Sequence, residues 1–304
     1  MVTAVTVRVP AKVNVQLAVG GRRADGFHDL ANVFLAVGLY DHVTATPADR
    51  LTITGEGRDI ASVPLDESNL AAKAALALAA HAGVAPDVHL HIAKDIPVAG
   101  GMAGGSADGA AALLACDALW GLHTPAERLL ELAGELGSDV PFPLLGGAAL
   151  GVGRGELLTP LEVGGGFHWV FAVADGGLST PAVYGECDRL RRARGTGDGV
   201  ADVPAPEADP ALLAALADGD AEALAAALSN DLQEAALSLR PDLAHTIERG
   251  LGAGALAGIV SGSGPTVAFL TADAQGSAKV AAELGACARV AEAPAGAAAV
   301  LAQP

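Results

Sequence analysis

The first stretch, Thr3 to Val19, alternates apolar and polar residues around many valines, a period of two that predicts a half-buried strand or hairpin. Further strands are expected over 33–47 and 51–57, each bounded by Gly, Pro or Asp. From Ser68 to His81 dense helix formers replace the alternation and predict a helix capped by Ser68. Alternation returns in VHLHIAKDIPV, residues 88–98, followed by a glycine-rich loop and a helix expected over 107–122. Thr124 and Glu127 have capping-box spacing for another helix, 125–136, with Pro125 at its first position, and the cluster GSDVPFP stops it. Alanine-rich helices are expected over 211–229 and 241–251, before AGIVSGSGPTVAFL, which reads as strand, turn and strand. Gly, Pro and Asp crowd the segment from Arg194 to Pro210, which is expected to be an exposed, mobile loop.

Length divides this pattern in two. At 304 residues the chain exceeds what one core usually organises. The run Gly164–Gly166 breaks the pattern, so the expected domains are 1–165 and 166–304, with a cleft between them. Apolar residues make up 51% against 17% charged, ample for packed cores. A net charge of −17 repels a phosphate backbone, which argues against a nucleic-acid partner and means that any anionic ligand must be held by local donors. Cys116, Cys187 and Cys287 are too dispersed for a CxxC pair and read as reduced core thiols. Arg8 and Lys12 interrupt any early apolar run, so no signal peptide is read and the cytoplasm is the expected compartment. The 23 uncharged residues between Arg249 and Asp273 are broken by glycines and a proline, and suit a buried, turn-rich segment better than a membrane span.

Candidate chemistry concentrates in the segment PVAGGMAGGSA. Gly100, Gly101, Gly104 and Gly105 allow backbone amides to approach a ligand unobstructed. Pro97, Val98 and Ala99 lead in from a strand, Met102 and Ala103 separate the glycine pairs, and Ser106 and Ala107 lead out into a helix. Free amides and a helix dipole would therefore converge on an anion, with the Ser106 hydroxyl available to phosphate or magnesium. Lys94, just before the loop, could neutralise phosphate or be an exposed strand end. No lysine in the chain follows a glycine, so a Walker A motif is absent, as are GxSxG, HRD, DFG and HExxH. Taken alone, the glycines also suit a structural strand-to-helix turn.

PVAGGMAGGSA resembles the phosphate-binding motif of the GHMP kinase superfamily, PAKVN (Pro10–Asn14) its first motif, and SGSGPT (Ser261–Thr266) its third. With ADGFHDL from Ala24, GSDVPF from Gly137 and ALGVGRGE from Ala149, the likeness is to the branch that acts on a cytidyl-bearing alcohol, and it runs through nearly the whole chain. The resemblance implies an α+β, two-domain GHMP kinase fold: an N-terminal ribosomal-protein-like α/β domain carrying the phosphate loop, and a C-terminal ferredoxin-like domain. It implies ATP with magnesium, and phosphoryl transfer to the tertiary 2-hydroxyl of a methylerythritol moiety in non-mevalonate isoprenoid synthesis. A monomer or weak homodimer is expected. By the same match Asp139 is the base and Lys12 the cation beside it, although Asp139 could instead cap a short helix. Asn14, Phe27, His28, Asn69, Thr180 and Tyr184 match substrate-contacting positions, with Phe27 standing where tyrosine is usual. Ala99, Met102 and Ala107 depart from the usual loop, and Ala107 removes a second hydroxyl, leaving Ser106 for magnesium. Another GHMP kinase, of homoserine or mevalonate type, and a non-catalytic nucleotide-binding protein are the alternative readings.

Overall fold

The computed structural model describes residues 3–98 and 100–302. Valine-rich alternation produces a long antiparallel hairpin, β1 (Val5–Arg22) and β2 (His28–Pro47), at the centre of an eight-stranded sheet. On β1 the valines Val7, Val9, Val13 and Val15 enter the main core, while Lys12, Asn14 and Gln16 alternate onto the opposite face and are buried there too. β3 (Thr52–Gly57), α1 (Leu70–Ala82) and β4 (Val88–Lys94) follow, β4 pairing with β2 and, in parallel, with β3. α2 (Gly104–Trp120) is buried nearly throughout, its alanines and Leu113 packed into the core, and α3 (Ala126–Leu136) covers it. The short α4 (Phe142–Leu145) leads into β5 (Ala148–Val152), which pairs with β2, and β6 (Leu157–Leu161).

A second, four-stranded antiparallel sheet starts with β7 (Phe167–Ala172). After it come α5 (Thr180–Ala193), α6 (Pro210–Asp218), α7 (Ala221–Ala227), the two-residue β8 (Ser229–Asn230), α8 (Gln233–Leu239) and α9 (Asp242–Gly252). β9 (Ala257–Val260), β10 (Val267–Thr271), α10 (Ala274–Leu284) and β11 (Ala288–Ala293) complete the unit, with sheet order β11-β7-β10-β9. This is the ferredoxin-like arrangement. Its strands alternate between two cores: Phe167, Trp169 and Phe171 face the core of the first sheet, whereas Val170, Ala172 and Phe269 face α5, α8, α9 and α10. β8 and the last strand, β12 (Ala299–Val300), both return to pair with β1, so the first sheet is completed by the end of the chain.

Local details depart from expectation in four places. Asn69, not Ser68, caps α1: its Oδ1 accepts from Ala71 N at 2.8 Å, while the Ser68 hydroxyl is taken by Asp66. The Thr124–Glu127 capping box does not form, because Thr124 N donates to Asp117 Oδ1 at 3.0 Å. The helix expected over 211–229 breaks at Gly219, and Asp220 recaps α7 through Glu222 N and Ala223 N. The 194–210 loop is exposed but tethered rather than free. Arg22 N donates to Asp198 O at 2.6 Å, and Gln16 bridges Glu207 O and Asp209 N at 2.9 Å each. The uncharged run between Arg249 and Asp273 is the end of α9 and the β9–turn–β10 hairpin, the buried, turn-rich segment expected, and no helix among the described residues is long and apolar enough to cross a membrane.

Candidate active site

The glycine loop packs against the turn that joins β9 to β10. Gly101 has φ +75, and a Cβ there would stand 2.0 Å from Ser261 O. Its carbonyl accepts from Ser261 Oγ at 3.1 Å and from Lys12 Nζ at 2.8 Å. Gly105, by contrast, is exposed, with Leu70 Cδ1 at 3.9 Å the nearest atom to an added Cβ. The first intrahelical bond of α2 runs from Ala107 N to Ala103 O at 2.8 Å, so the amides of Gly104 to Ser106 precede the ladder. Gly105 and half-buried Ser106 line a cleft of about 790 Å³, at the positive end of a 17-residue helix.

Lys12 and Asp139 meet beside these amides. Lys12 Nζ lies 3.6 Å from Asp139 Oδ2 and donates to Asn14 Oδ1 at 2.6 Å, and Asn14 Nδ2 in turn donates to Asn32 Oδ1 at 2.7 Å. Burial pushes the Lys12 pKa down, and the Asp139 carboxylate opposes that shift. The ammonium is thus already desolvated where charge would develop. Asp139 is about one-third exposed and makes no cap bond to α4, whose start carries no side-chain cap. The helix-cap reading of Asp139 therefore fails, and the carboxylate is left facing the cleft.

Part of the cleft lining is aromatic. Phe27, half exposed, carries the Arg154 guanidinium over its ring at 5.4 Å. His28 is buried, with the Tyr184 ring tilted against it at 5.1 Å and Asp188 Oδ1 at 2.9 Å from its Nε2. Burial, with the negative charge of Asp139, pushes the Tyr184 hydroxyl pKa well up, so the phenol stays neutral. Thr180, the first residue of α5, shares a 2.9 Å hydrogen bond with Ser263 and closes the cleft against the β9–β10 turn.

Two family models match the chain, "GHMP kinases N terminal domain" over residues 69–147 and "GHMP kinases C terminal" over 212–289. A 4-diphosphocytidyl-2-C-methyl-D-erythritol kinase of Streptomyces avermitilis is 71% identical over 302 residues, covering 98% of this chain and 99% of that one. One from Thermobifida fusca is 60% identical, covering 94% of each. The crystal structure of a 4-(cytidine 5'-diphospho)-2C-methyl-D-erythritol kinase superposes with a TM-score of 0.75 at 31% identity, over 96% of this chain and all of that one. This chain belongs to the 4-diphosphocytidyl-2-C-methyl-D-erythritol kinases, a branch of the GHMP kinases. It is an ATP-dependent kinase with the two-part GHMP fold. A homoserine kinase of Cytophaga hutchinsonii, 19% identical with a TM-score of 0.69 over 99% of this chain and 98% of that one, shares the fold.

Not every residue singled out from sequence lines the cleft of this kinase. Lys94 is not a free cation for phosphate. It is buried between Asp41 and Asp108 and hydrogen-bonded to both, so its charge is taken up inside the protein. Asn69 is absent from the main cleft. It lines, with Lys94 and Val98, a smaller pocket of about 270 Å³ that shares Leu70 and Gly105 with the cleft. Met102 and Ala107 are fully buried core residues, Pro97 packs against Gly100, and Ala99 lies outside the described residues. Sequence reasoning missed Asn32, Arg22, Arg154, Asp188 and the Ser263 hydroxyl, all lining the cleft. It also missed Asn230, whose Nδ2 fixes the β9–β10 turn through Val260 O and Gly262 O at 2.8 Å each. Arg154 sits in the ALGVGRGE match and was therefore visible in sequence, whereas Asp188 carries no local motif.

Proposed function

We propose that the cleft transfers the terminal phosphate of ATP to the 2-hydroxyl of 4-diphosphocytidyl-2-C-methyl-D-erythritol, giving the 2-phosphate and ADP. The observation that carries this reading is the Lys12–Asp139 pair in one cleft with the open amides of Gly105 and Ser106 and with the aromatic residues Phe27, His28 and Tyr184. Asp139 takes the hydroxyl proton as the oxygen attacks the terminal phosphorus and the bond to the departing ADP breaks. Lys12 stabilises the developing alkoxide and the phosphoryl oxygens, and its low-dielectric site strengthens both interactions. The amides and dipole of α2 hold the nucleotide phosphates, and the shared wall at Leu70 and Gly105 directs the base toward the smaller pocket with Asn69 and Val98.

The donor set fits magnesium carried mainly by the nucleotide. Ser106 offers one hydroxyl at the loop, and no cluster of three or more His, Cys, Asp or Glu suited to a metal occurs among the described residues. That matches an ion held by phosphate oxygens with few protein ligands. When bound, magnesium neutralises charge on the transferring phosphoryl group. Phe27 and Tyr184 offer faces for the cytosine and His28 an edge. We place this step of isoprenoid precursor synthesis in the cytoplasm, where the three free thiols stay reduced.

A coupled ADP-release assay across the cytidyl methylerythritol, homoserine and mevalonate tests the assignment. Turnover is expected only with the cytidyl substrate, and a response confined to an uncytidylated alcohol refutes it.

A further inference from the structure

His28 opens β2 in the first sheet, and Asp188 lies on α5 of the second half, 160 residues away. Their Nε2–Oδ1 contact of 2.9 Å is shielded from water, each side chain being 5% exposed. A carboxylate can only accept, so Nε2 carries the proton and donates it, and in the neutral ring the lone pair then stands on Nδ1. Nδ1 has no hydrogen-bond partner among the described residues, and His28 lines the cleft. The ring cannot turn freely, because Tyr184 lies against it. α5 is itself tied to the hairpin by Arg191, which donates to Gly20 O at 2.9 Å and Val19 O at 2.6 Å.

We infer that Asp188 is a positioning residue that locks His28 in one tautomer, making Nδ1 the hydrogen-bond acceptor that reads the exocyclic amino group of cytosine. This rests on the reading of the aromatic lining as the part that binds the cytosine. Cytosine presents an amino donor at position 4, where uracil presents a carbonyl acceptor. Two acceptors facing each other in a desolvated site leave both unpaired, so a fixed acceptor selects cytidine over uridine. Reversal of the tautomer would put a proton on Nδ1 and lose that selection.

The test uses the full-length protein with 15N-labelled histidine, with CMP and UMP as probes. Nitrogen shifts are expected to show Nε2 protonated and Nδ1 bare, with CMP moving the Nδ1 signal and UMP at equal concentration leaving it in place. The carboxamide of Asp188→Asn both donates and accepts, so it permits either tautomer. Its KM for the cytidyl substrate should rise about tenfold with kcat and the KM for ATP unchanged, and Asp188→Glu should recover part of the loss. A protonated Nδ1 in the wild type overturns the inference, as do equal responses to CMP and UMP or an unchanged KM in Asp188→Asn. Should that variant not fold, the wild-type spectra decide alone. Selective CMP binding without ADP release would sink the proposed reaction and keep this inference, whereas normal turnover with indifferent Nδ1 would sink the inference alone.

Discussion

Gly101 and Gly105 belong to the same loop yet do different work, and an alanine at each separates the roles. At Gly101, alanine must adopt φ +75, which costs about 1–2 kcal/mol for a residue with a Cβ. That Cβ would lie 2.0 Å from Ser261 O, so the β9–β10 turn must retreat, adding about 1–3 kcal/mol of overpacking. The retreat also breaks the bonds that Ser261 and Lys12 donate to Gly101 O, worth about 1 kcal/mol each. A loss of about 4–7 kcal/mol follows, seen in a chain of this length as a fall in Tm of roughly 6–11 °C. At Gly105 nothing lies closer than 3.9 Å, and alanine suits the first turn of a helix at least as well as glycine. Gly105→Ala should therefore keep or slightly raise Tm, while its methyl group obstructs the phosphate approach and raises the KM for ATP about tenfold or more. Thermal unfolding and ADP-release kinetics on both variants read the result. A Gly101→Ala protein that unfolds with the wild type, or a Gly105→Ala protein with unaltered KM for ATP, would refute this division of labour.

Asp139→Asn should retain ATP affinity, measured by calorimetry, while kcat falls by about 10²–10⁴, the range for loss of a general base; near-normal turnover would remove Asp139 from that role. Because burial lowers the Lys12 pKa and only the ammonium stabilises anionic oxygen, kcat should fall as pH rises through a value under 10.5, and Lys12→Met should abolish that limb with most of the activity. Asp108 is pushed up to about 8 by burial and by Asp41, partly offset by Lys94. A carboxyl raised above its unfolded value of about 4 stabilises the native state below that value, and the contribution is lost as pH rises through about 8. The Tm of Asp108→Asn relative to wild type should therefore increase from acid to pH 8, and a difference that is flat with pH would contradict the burial argument.

Elements whose signal is periodic, and motifs whose residues are neighbours, were legible in the chain. Alternation in β1 puts Lys12 and Asn14 on one face two residues apart, because strand side chains repeat every second position. The glycine loop running into an apolar helix could be read as an anion site for a similar reason: the amides are local to the helix start. Short caps were read less well, since Ser68 and Asn69 compete for the first amides of α1, and Asp117 and Glu127 for that of Thr124, at similar cost. Only the tertiary structure decided which charged groups are free. Lys94 precedes the loop as a phosphate ligand would, but Asp41, 53 residues away, and Asp108 claim it in the interior. Asp139 could have capped a helix, and its 3.6 Å approach to Lys12 depends on α3 packing against the core that β1 shares. Asp188 reaches His28 across 160 residues. Periodicity and local hydrogen bonding are properties of the chain, but the partner of a buried charge is set by which distant surfaces exclude water together.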